Sequence, residues 1–469
     1  MGLDRRLIAA AAVIAAVVFA AALFALSHRG GGSGGAGSTP SANTTKAGVE
    51  KAPSIQECGS GNVLAVVYAD GQEKLAEKIA GLLAQQLRGH LPPDTRYCVA
   101  PAGASGLGDA RVLPLILVKA SNASAKLRSL LLNQTVAGGF HPVRYDVDAV
   151  FAVRVALQYH LPQPVYNAKT VLVITEPRSS VARLNPATLE KQKQLLSLIE
   201  AVAAAKIERV VALGNVSNKL HNTRPNLVFM SSSNLSDGDP ALQAIGRNLY
   251  EARQVDFARV FMQRGLTEAM EIEESADALG LSRVAAEHPT IGGGETHLAI
   301  FEDFMCPFCA RFYRDTLPTL EKLAKQGSLE MHFMDLIVHR QGVVPKLHRL
   351  LLCYYLETGN ATGYLEAAKK IYSLLYADLE KLQQRKINET TLVADYNKLY
   401  QELEKQLGAS PNCTKADRLL AASQRIAAKL GITGTPGFAA WRSGSNYVVV
   451  TEGYRTPAFF NRLLESLEK

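Results

Sequence analysis

Cysteine is scarce in this sequence, with only six among 469 residues. At that frequency, chance would produce roughly 0.1 pairs at C-x-x-C spacing in the whole chain. A C-x-x-C motif in this sequence therefore needs an explanation other than chance.

The sequence also lacks any dense block of charge. Lys and Arg number 51 against 43 Asp and Glu, and they are spread along the chain without a stacking-aromatic motif among them. This pattern predicts a solvated surface and no nucleic-acid site, although the net charge of +8 would still favour anionic membrane or polymer surfaces. With 47% apolar and 20% charged residues the composition is globular, and the length predicts two or three domains.

The motifs of several large enzyme classes are missing. The sequence has no P-loop, and no Ser/His/Asp or paired-carboxylate arrangement stands out. The Gly/Ser-rich stretch 30–53 is not a phosphate-binding loop, because no strand precedes it. We interpret residues 29–55 as a flexible linker. No cofactor is predicted, and the sequence gives no support to the enzyme classes that these motifs define.

An apolar segment lies near the N-terminus. Residues 7–26 form an unbroken apolar run after two arginines, long enough for a helix that spans a bilayer. A cleaved signal peptide is the alternative, because Ala25-Leu26-Ser27 offers a small-residue cleavage site. Residues 1–28 are thus predicted to be a membrane anchor or a signal segment. Both interpretations place the folded part outside the cytoplasm, either tethered by a single helix or secreted.

Glycosylation sequons are more frequent than chance predicts. Eight N-x-S/T sequons begin at Asn43, Asn122, Asn133, Asn215, Asn234, Asn360, Asn388 and Asn412. Roughly two would be expected at random for this composition. The excess predicts an exported glycoprotein.

Residues 56–285 are predicted to form an α/β region of unknown role. An apolar run at 62–69 is typical of a buried strand, and helical spacing of apolar residues follows at 72–88. The second half repeats this order, with a strand at 170–175 and a helix at 186–205. Alternating strands and helices favour a layered α/β architecture.

The most informative motif is Cys306-Pro307-Phe308-Cys309. It follows a strand-like apolar run at 298–304 and opens a helical stretch at 310–323. At the first turn of a helix, free amides and the positive end of the dipole stabilise a thiolate. The spacing therefore predicts a nucleophilic Cys306 and a Cys309 placed to close a disulfide with it.

The region around this motif, residues 287–469, is predicted to form the second folded part. A strand at 329–337 follows the helix, and a long helical segment then occupies about 341–430. Strands at 438–441 and 447–451 and a final helix complete the region. The order is again that of an α/β domain, here interrupted by a helical insertion.

Two segments of this region resemble the DsbA family of thiol:disulfide oxidoreductases. They are FEDFMCPFCARFYRDTLPTLEKL and, about 125 residues later, LGITGTPGF. The resemblance covers 287–469 and implies a thioredoxin-like fold with a helical insertion. It implies that Cys306 is the exposed nucleophile and Cys309 the resolving cysteine. It further implies a cis Thr435–Pro436 bond beside them, with the Thr435 backbone pairing with the substrate chain.

The resemblance also implies substrates and partners. The substrates would be cysteines of exported proteins, and a membrane partner of the DsbB or vitamin-K-epoxide-reductase type would reoxidise the dithiol. The same site could instead act as a reductase or isomerase, since the potential sets the direction. A third alternative is a chaperone-like binding role for 56–285 with an accessory redox domain. Phe308 offers no donor to the thiolate, which predicts a less oxidising couple than a histidine there would give.

One departure from thioredoxin-fold oxidoreductases concerns their buried carboxylate, which often lies six residues before the first cysteine. This sequence has Ile300 there. Strand alternation puts Glu302 on the face of Ile300 and Asp303 on the other. Glu302 could substitute through water, the proton relay could be absent, or Glu302 could be a solvated acid at the strand end.

The other cysteines are candidates for structural disulfides. Relatives in the DsbA family often staple the insertion at positions similar to Cys353 and Cys413; a second redox couple and unpaired thiols are the alternatives. Cys58 and Cys98 could pair in an oxidising compartment or remain buried thiols. The Arg111–Pro114 segment before a strand is similar to the proline loop of thioredoxin folds. It motivates the hypothesis that 56–285 contains redox-inactive thioredoxin-like units.

A metal site at the dithiol is the remaining alternative. Zinc would need two ligands beyond Cys306 and Cys309. His332, His339 and His348 lack tight metal-binding spacing. No metal site is predicted.

Overall fold

The computed structural model describes residues 54–87, 90–175, 177–213, 227–236, 242–252, 260–262, 264–340, 342–409 and 413–468. The predicted span at 7–26 and nearly all of the linker lie outside these residues, as do the sequons at Asn43, Asn215 and Asn412. Within the described part of the chain, no helix combines the length and the apolar character needed to cross a bilayer.

The described residues fall into two compact units. The first unit holds residues within 54–174, 186–213 and 227–252, and the second holds residues within 175–185 and 260–468. The second unit thus begins upstream of the expected boundary at 287. The reason is that a strand at Met270–Ile272 pairs with the C-terminal sheet, and Leu279 and Val284 are buried in its core.

The first unit is mixed α/β, as the alternating pattern predicts. Its helices are Glu73–Gln86, Ala125–Arg128, Tyr145–Tyr159, Pro186–Lys191 and Lys193–Ala203, with short 3-10 turns at Ile55–Cys58 and Ala137–Gly139. Its strands are β1 (Val63–Tyr68), β2 (Arg96–Pro101), β3 (Val112–Leu113), β4 (Leu115–Lys119), β5 (His141–Pro142), β6 (Val165–Tyr166), β7 (Lys169–Thr175), β8 (Lys206–Leu213), β9 (Leu227–Met230), β10 (Leu242–Gly246) and β11 (Leu249–Ala252).

These strands form two larger sheets and a short β3-β6 ribbon. The first sheet has the order β2-β1-β4-β5, and the second has the order β10-β11-β9-β7-β8. In the first sheet β1 runs parallel to β2 and antiparallel to β4. Every residue of β1 is buried, as its unbroken apolar sequence predicts. Leu75, Ile79 and Leu83 form the buried face of the helix that follows it.

The second unit is built on one six-stranded sheet. Its strands are β12 (Met270–Ile272), β13 (Thr290–Gly293), β14 (Thr296–Glu302), β15 (Leu329–Asp335), β16 (Gly437–Arg442) and β17 (Val448–Glu452). Its helices are Ala276–Leu279, Leu281–Ala286, Pro307–Asp315, Leu317–Lys325, Val344–Thr358, Ala361–Gln383, Glu389–Leu407, Thr414–Lys429 and Pro457–Leu467, with a 3-10 turn at Ser180–Ala182. The strand order is β12-β17-β16-β14-β15-β13.

Strand β14 is central to this sheet and buried on both faces. It runs parallel to β15 and antiparallel to β16. Leu298 and Ile300 point into one hydrophobic cluster, and Ala299 and Phe301 into another. The alternation of a strand thus places a core on each face of the sheet. Strand β14 ends at Glu302, so the chain leaves the sheet four residues before Cys306.

The helical insertion consists of four helices, where the sequence predicts one long helical segment. Gly359 caps the C-terminus of the first helix and Gly408 that of the third, both with positive φ. The side chains of Asn360 and Asn388 accept backbone N–H groups at the starts of the second and third helices. Glycine C-caps and asparagine N-caps are local stop and start signals. The insertion is therefore divided by its own sequence.

Candidate active site at the Cys306–Cys309 dithiol

The dithiol lies at the start of the helix Pro307–Asp315. Cys306 is the N-cap residue of this helix, with extended backbone angles, and Pro307 occupies the first turn. Proline suits this place because its fixed φ fits the helix and its missing N–H would have no partner there. Free amides of the first turn then face the Cys306 sulfur.

The surroundings of Cys306 favour its thiolate. The Cys309 thiol is the strongest of the groups that lower the pKa of Cys306, to about 6, with burial opposing them. The Thr435 side chain and the backbone N–H groups of Cys309 and Phe308 contribute in the same direction. An amide pair at a helix N-terminus and two side-chain donors therefore hold negative charge on this sulfur.

Cys306 is less exposed than the resemblance implies. Its residue is only 4% exposed, and it belongs to the hydrophobic core of the second unit. The Cys306 thiol donates to the Thr435 carbonyl at 3.1 Å, so the Thr435–Pro436 loop packs against the sulfur. Phe308, between the two cysteines, is 56% exposed and lies at the surface instead.

The chemistry of Cys309 is the opposite of that of Cys306. Cys309 is fully buried, and burial raises its pKa well above the ordinary value, with the neighbouring Cys306 adding to the effect. One thiol is therefore held as a thiolate while its neighbour keeps its proton. Both sulfurs are free, whereas the other four cysteines, which all lie in described residues, are paired.

The low pKa of Cys306 predicts how its rate of alkylation depends on pH. A thiol with a pKa of about 6 is about nine-tenths ionised at pH 7, against a few per cent for an ordinary cysteine. Alkylation of reduced protein by iodoacetamide should therefore rise with a midpoint near pH 6 and level off above pH 7. Cys309→Ala should move the midpoint upward, because it removes the strongest stabilising hydrogen bond. A midpoint near 8.5 in the unsubstituted protein would contradict this assignment.

The buried acid of the site is Glu302. It is fully buried, so the interpretation of Glu302 as a solvated acid at the strand end is wrong. Its carboxylate accepts hydrogen bonds from the hydroxyls of Tyr313, at 2.6 Å, and Tyr364, at 3.2 Å. Burial raises the pKa of Glu302 to about 8, against the hydrogen bonds from the tyrosines, and its charge raises the pKa of Cys309. Glu302 is thus poised to exchange a proton at neutral pH, close enough to the resolving cysteine to change its pKa.

This raised pKa predicts how stability depends on pH. Glu302 is ionised in the unfolded chain above about pH 4.5 but keeps its proton in the folded protein up to about 8. Unfolding therefore releases a proton in this window, and stability falls as pH rises, by at most about 1.4 kcal/mol per pH unit. Glu302→Gln removes this loss, so the variant should gain stability relative to the unsubstituted protein between pH 5 and 8. Urea unfolding at pH 5, 6.5 and 8 measures the difference, and parallel pH curves would contradict the assignment.

The turn between β14 and Cys306 is held by Asp303 and His348, two residues for which the sequence predicts no role in this turn. The buried Asp303 carboxylate accepts from the backbone N–H groups of Met305, Val338 and His339. His348 is also buried; its Nε2 accepts from the Phe304 N–H at 3.1 Å. Three backbone donors on one carboxylate fix the loop that presents Cys306. The sequence signal is the acidic pair that ends the apolar strand.

The loop across from Cys306 has the geometry that the resemblance implies. The Thr435–Pro436 bond is cis. Strand β16 begins at Gly437 and pairs with the end of β14, opposite Phe301. Pairing of these strands therefore brings the proline loop and the dithiol, which are 129 residues apart, to one edge of the sheet.

The remaining cysteines are joined in pairs. Cys353 pairs with Cys413 across the insertion, 60 residues apart, and Cys58 pairs with Cys98 in the first unit, 40 residues apart. Cys98 lies on β2 and Cys58 in the turn before β1, so this bridge clips the first β-α-β segment. A structural role for both bridges stays a prediction, as does the alternative of an electron relay through Cys353–Cys413.

One family model matches the region that carries the dithiol. Residues 288–441 match the family model described as thioredoxin. No curated protein significantly matches the chain. Among solved structures, the catalytic domain of Proteus mirabilis ScsC is similar at 19% identity and a TM-score of 0.31, covering 42% of this chain and 100% of that one.

Two further solved structures resemble the chain to a similar degree. Wolbachia pipientis alpha-DsbA1 is 18% identical with a TM-score of 0.28, covering 38% of this chain and 89% of that chain. A periplasmic thioredoxin-like protein from Salmonella enterica serovar Typhimurium is 18% identical with a TM-score of 0.30, covering 41% of this chain and 96% of that chain.

The matched family and the sheet that carries the dithiol define the class of the C-terminal region as a thioredoxin fold. A helical insertion interrupts this fold between β15 and β16, as the sequence resemblance to the DsbA family implies. This fold, carrying a free dithiol, suggests a thiol:disulfide oxidoreductase.

Proposed function

We propose that the protein is a membrane-tethered, extracytoplasmic thiol:disulfide oxidoreductase acting on cysteines of exported proteins. The observation that carries this proposal is the asymmetric dithiol, with a lowered pKa at Cys306 and a strongly raised pKa at Cys309. In a pair of this kind, one sulfur forms the mixed disulfide with the substrate and the other closes the disulfide of the protein. The reductase and isomerase alternatives use the same site and differ only in the potential of the couple.

In the oxidising direction, a substrate thiolate attacks the Cys306 sulfur of the Cys306–Cys309 disulfide. The disulfide breaks, Cys309 leaves and gains a proton, and a mixed disulfide joins the substrate to Cys306. A second substrate thiolate then attacks the substrate sulfur of that bond. The substrate leaves oxidised by two electrons, and Cys306 departs as the thiolate that its surroundings stabilise. The low pKa of Cys306 makes it a good leaving group in this last step.

In this proposal Glu302 takes up and returns the proton of the Cys309 thiol. Cys309 is buried and its thiol is a weak acid, so attack or departure of this sulfur needs a nearby proton carrier. Glu302, with a pKa of about 8, is charged in part and protonated in part at neutral pH. It can therefore take the proton from the Cys309 thiol in one direction and return it in the other.

The cellular setting of the proposal rests on sequence patterns. The apolar segment 7–26 would anchor the chain and leave both units outside the cytoplasm, where the excess of sequons also fits. Two disulfides outside the dithiol agree with an oxidising compartment. A membrane partner of the DsbB or vitamin-K-epoxide-reductase type would then supply the oxidising equivalents.

The activity is tested with a reduced, unfolded substrate that carries two cysteines. The oxidised protein should convert it to the disulfide form with the loss of one protein disulfide per substrate, and Cys306→Ser should not. An equal rate of substrate oxidation with the oxidised protein and with buffer alone would overturn the proposal. Faster reduction of an oxidised substrate than oxidation of a reduced one would favour the reductase alternative.

A binding role for the first unit is a second candidate, and the fold of that unit favours it. We infer that its first sheet is a thioredoxin-like unit without redox chemistry. The order β2-β1-β4-β5 repeats the order β15-β14-β16-β17 of the second unit. In both, the first pair is parallel and the next two pairs are antiparallel.

Gln72 occupies the place in this sheet that Cys306 occupies in the other. Each is the N-cap residue of the helix after the first strand. The Gln72 amide donates to the carbonyl of Leu113, which precedes Pro114, just as the Cys306 thiol donates to the carbonyl before Pro436. An amide in this position keeps the contact with the loop and cannot transfer electrons.

The binding role is tested on the full protein with Cys306 and Cys309 both replaced by serine. An unfolded chain without cysteines should bind this variant, and hydrogen exchange should slow in the first sheet of the first unit. Absence of binding, or protection confined to 287–469, would contradict a binding role for the first unit.

A further inference from the structure

A cluster of metal-ligating side chains lies in the second unit at the end of β14 remote from the dithiol. His297 is the second residue of β14, and Glu330 and His332 lie on the neighbouring β15. His297 is directly opposite Glu330 in the parallel pairing, and His332 is on the same face of β15 as Glu330. Roughly 16 Å of strand separates His297 from Glu302 at the other end, so the cluster is distinct from the redox site.

The three ligand atoms form a triangle of equal sides. His297 Nδ1 lies 3.3 Å from His332 Nε2 and 3.3 Å from Glu330 Oε1. His332 Nε2 and Glu330 Oε1 are also 3.3 Å apart. Tetrahedral ligands about 2.0–2.1 Å from a zinc ion lie roughly 3.3–3.4 Å from one another. The spacing therefore fits three corners of a tetrahedron around one ion.

Neighbouring hydroxyls orient both imidazole rings toward this point. Thr290 Oγ1 donates to the His288 carbonyl at 2.9 Å and lies 3.0 Å from His332 Nδ1. Because the hydroxyl proton is used by that carbonyl, His332 Nδ1 carries the proton of the ring and Nε2 keeps a free lone pair. Ser443 Oγ lies 2.9 Å from His297 Nε2 and holds the other ring. Hydrogen bonds at the second ring nitrogen are typical of histidine metal ligands.

We propose that His297, Glu330 and His332 bind a divalent transition-metal ion of the zinc class. A cleft of about 290 Å³ adjoins the triangle, and its lining also includes Asp277, Ser445 and Trp441. Two imidazoles and one carboxylate leave the fourth position of a tetrahedral ion for water or an anion. Nitrogen ligands select first-row transition metals over magnesium, which prefers oxygen.

The arrangement without a metal is a hydrogen-bonded triad. In it, the His297 Nδ1–H is shared between Glu330 Oε1 and His332 Nε2. This triad satisfies the ring nitrogens and predicts no specific uptake of zinc. Metal binding and a purely hydrogen-bonded cluster are therefore separated by titration with the ion.

The test uses the full, untagged protein with Cys306 and Cys309 replaced by serine, so that the dithiol cannot bind metal. Isothermal titration with Zn²⁺ should show one strong site per chain, and Mg²⁺ should show none. Trp441 is the single tryptophan of the sequence, and its ring is 5.0 Å from the His297 ring and 5.6 Å from the His332 ring. Cu²⁺ should therefore quench the tryptophan fluorescence at one equivalent, and a large excess of Zn²⁺ should reduce the quenching, because Cu²⁺ binds such ligands more tightly than Zn²⁺.

Matched substitutions locate the site. Glu330→Gln keeps the size of a partly exposed side chain and should weaken Zn²⁺ binding by at least about tenfold, since even outer-shell partners of metal ligands contribute about 10–100-fold. His297→Gln should do the same. His160→Asn, at an exposed histidine of the first unit, should leave the affinity unchanged. Absence of a one-to-one site, or equal affinity in the parent and in Glu330→Gln with both folded by circular dichroism, would overturn the proposal.

Discussion

Cys309→Ala should turn the protein from a catalyst into a trap for its substrates. In this variant Cys306 keeps the backbone N–H groups and the Thr435 contact that favour its thiolate. The buried thiol that forms the disulfide with Cys306, and that resolves the mixed disulfide in the reducing direction, is gone. Turnover should fall by at least about 10³-fold, as expected when a residue that forms or breaks the covalent intermediate is removed. Non-reducing gels of the variant incubated with a disulfide-containing substrate should show a covalent adduct that dithiothreitol releases.

The matched control is Cys306→Ala, which should abolish both turnover and the adduct. Cys309 is fully buried and its thiol is weakly acidic, so it cannot replace Cys306 as the attacking sulfur. An adduct formed equally well by both variants would contradict the division of roles between the two sulfurs. Turnover retained in Cys309→Ala would show that the reaction does not pass through the Cys306–Cys309 disulfide.

Removal of the Cys353–Cys413 disulfide should lower the free energy of unfolding of the second unit by about 2–4 kcal/mol. The bridge closes a loop of 60 residues across the helical insertion. Without it, the unfolded chain regains the conformational entropy that closing this loop removes, and the folded state becomes less stable by comparison. Alanine is the substitution to use at both positions, because Cys353 is fully buried and serine would add a hydroxyl without a defined partner. Urea unfolding of Cys353→Ala/Cys413→Ala measures the effect.

The same variant separates a structural bridge from an electron relay. A structural bridge predicts lower stability with unchanged oxidation of a substrate under conditions where the variant is folded. A relay predicts a large loss of turnover even there. Cys58→Ala/Cys98→Ala, which opens a loop of 40 residues in the first unit, is the control for turnover and should leave it unchanged.

The residues of the site that the sequence predicts are marked by patterns within a short stretch of the chain. Cys306, Pro307 and Cys309 lie in one turn of helix, and the strand before them and the helix after them are visible as apolar patterns. The partner loop at Thr435–Pro436 was identified by its resemblance to a family motif, because no local pattern shows that two segments 129 residues apart will meet.

The parts of the site that the sequence leaves open or does not show depend on tertiary contacts. Glu302 differs from a solvated strand-end acid only because the Tyr313 and Tyr364 hydroxyls close over it, and Tyr364 lies 62 residues away in the insertion. His297 and His332 come together through the parallel register of β14 and β15. The alternation of Glu330 and His332 with apolar residues in β15 is the available signal, but it does not fix which residues of β14 face them.

The measurement that tests the central claim most directly is the reduction potential of the Cys306–Cys309 pair. Protein equilibrated in glutathione buffers, alkylated and weighed by mass spectrometry should lose two free thiols in one transition. Because the thiolate of Cys306 is stabilised in the reduced protein, the midpoint should lie above the thioredoxin value of about −270 mV. A pair that never titrates would contradict the redox function, and a midpoint at or below about −270 mV would contradict an oxidising role.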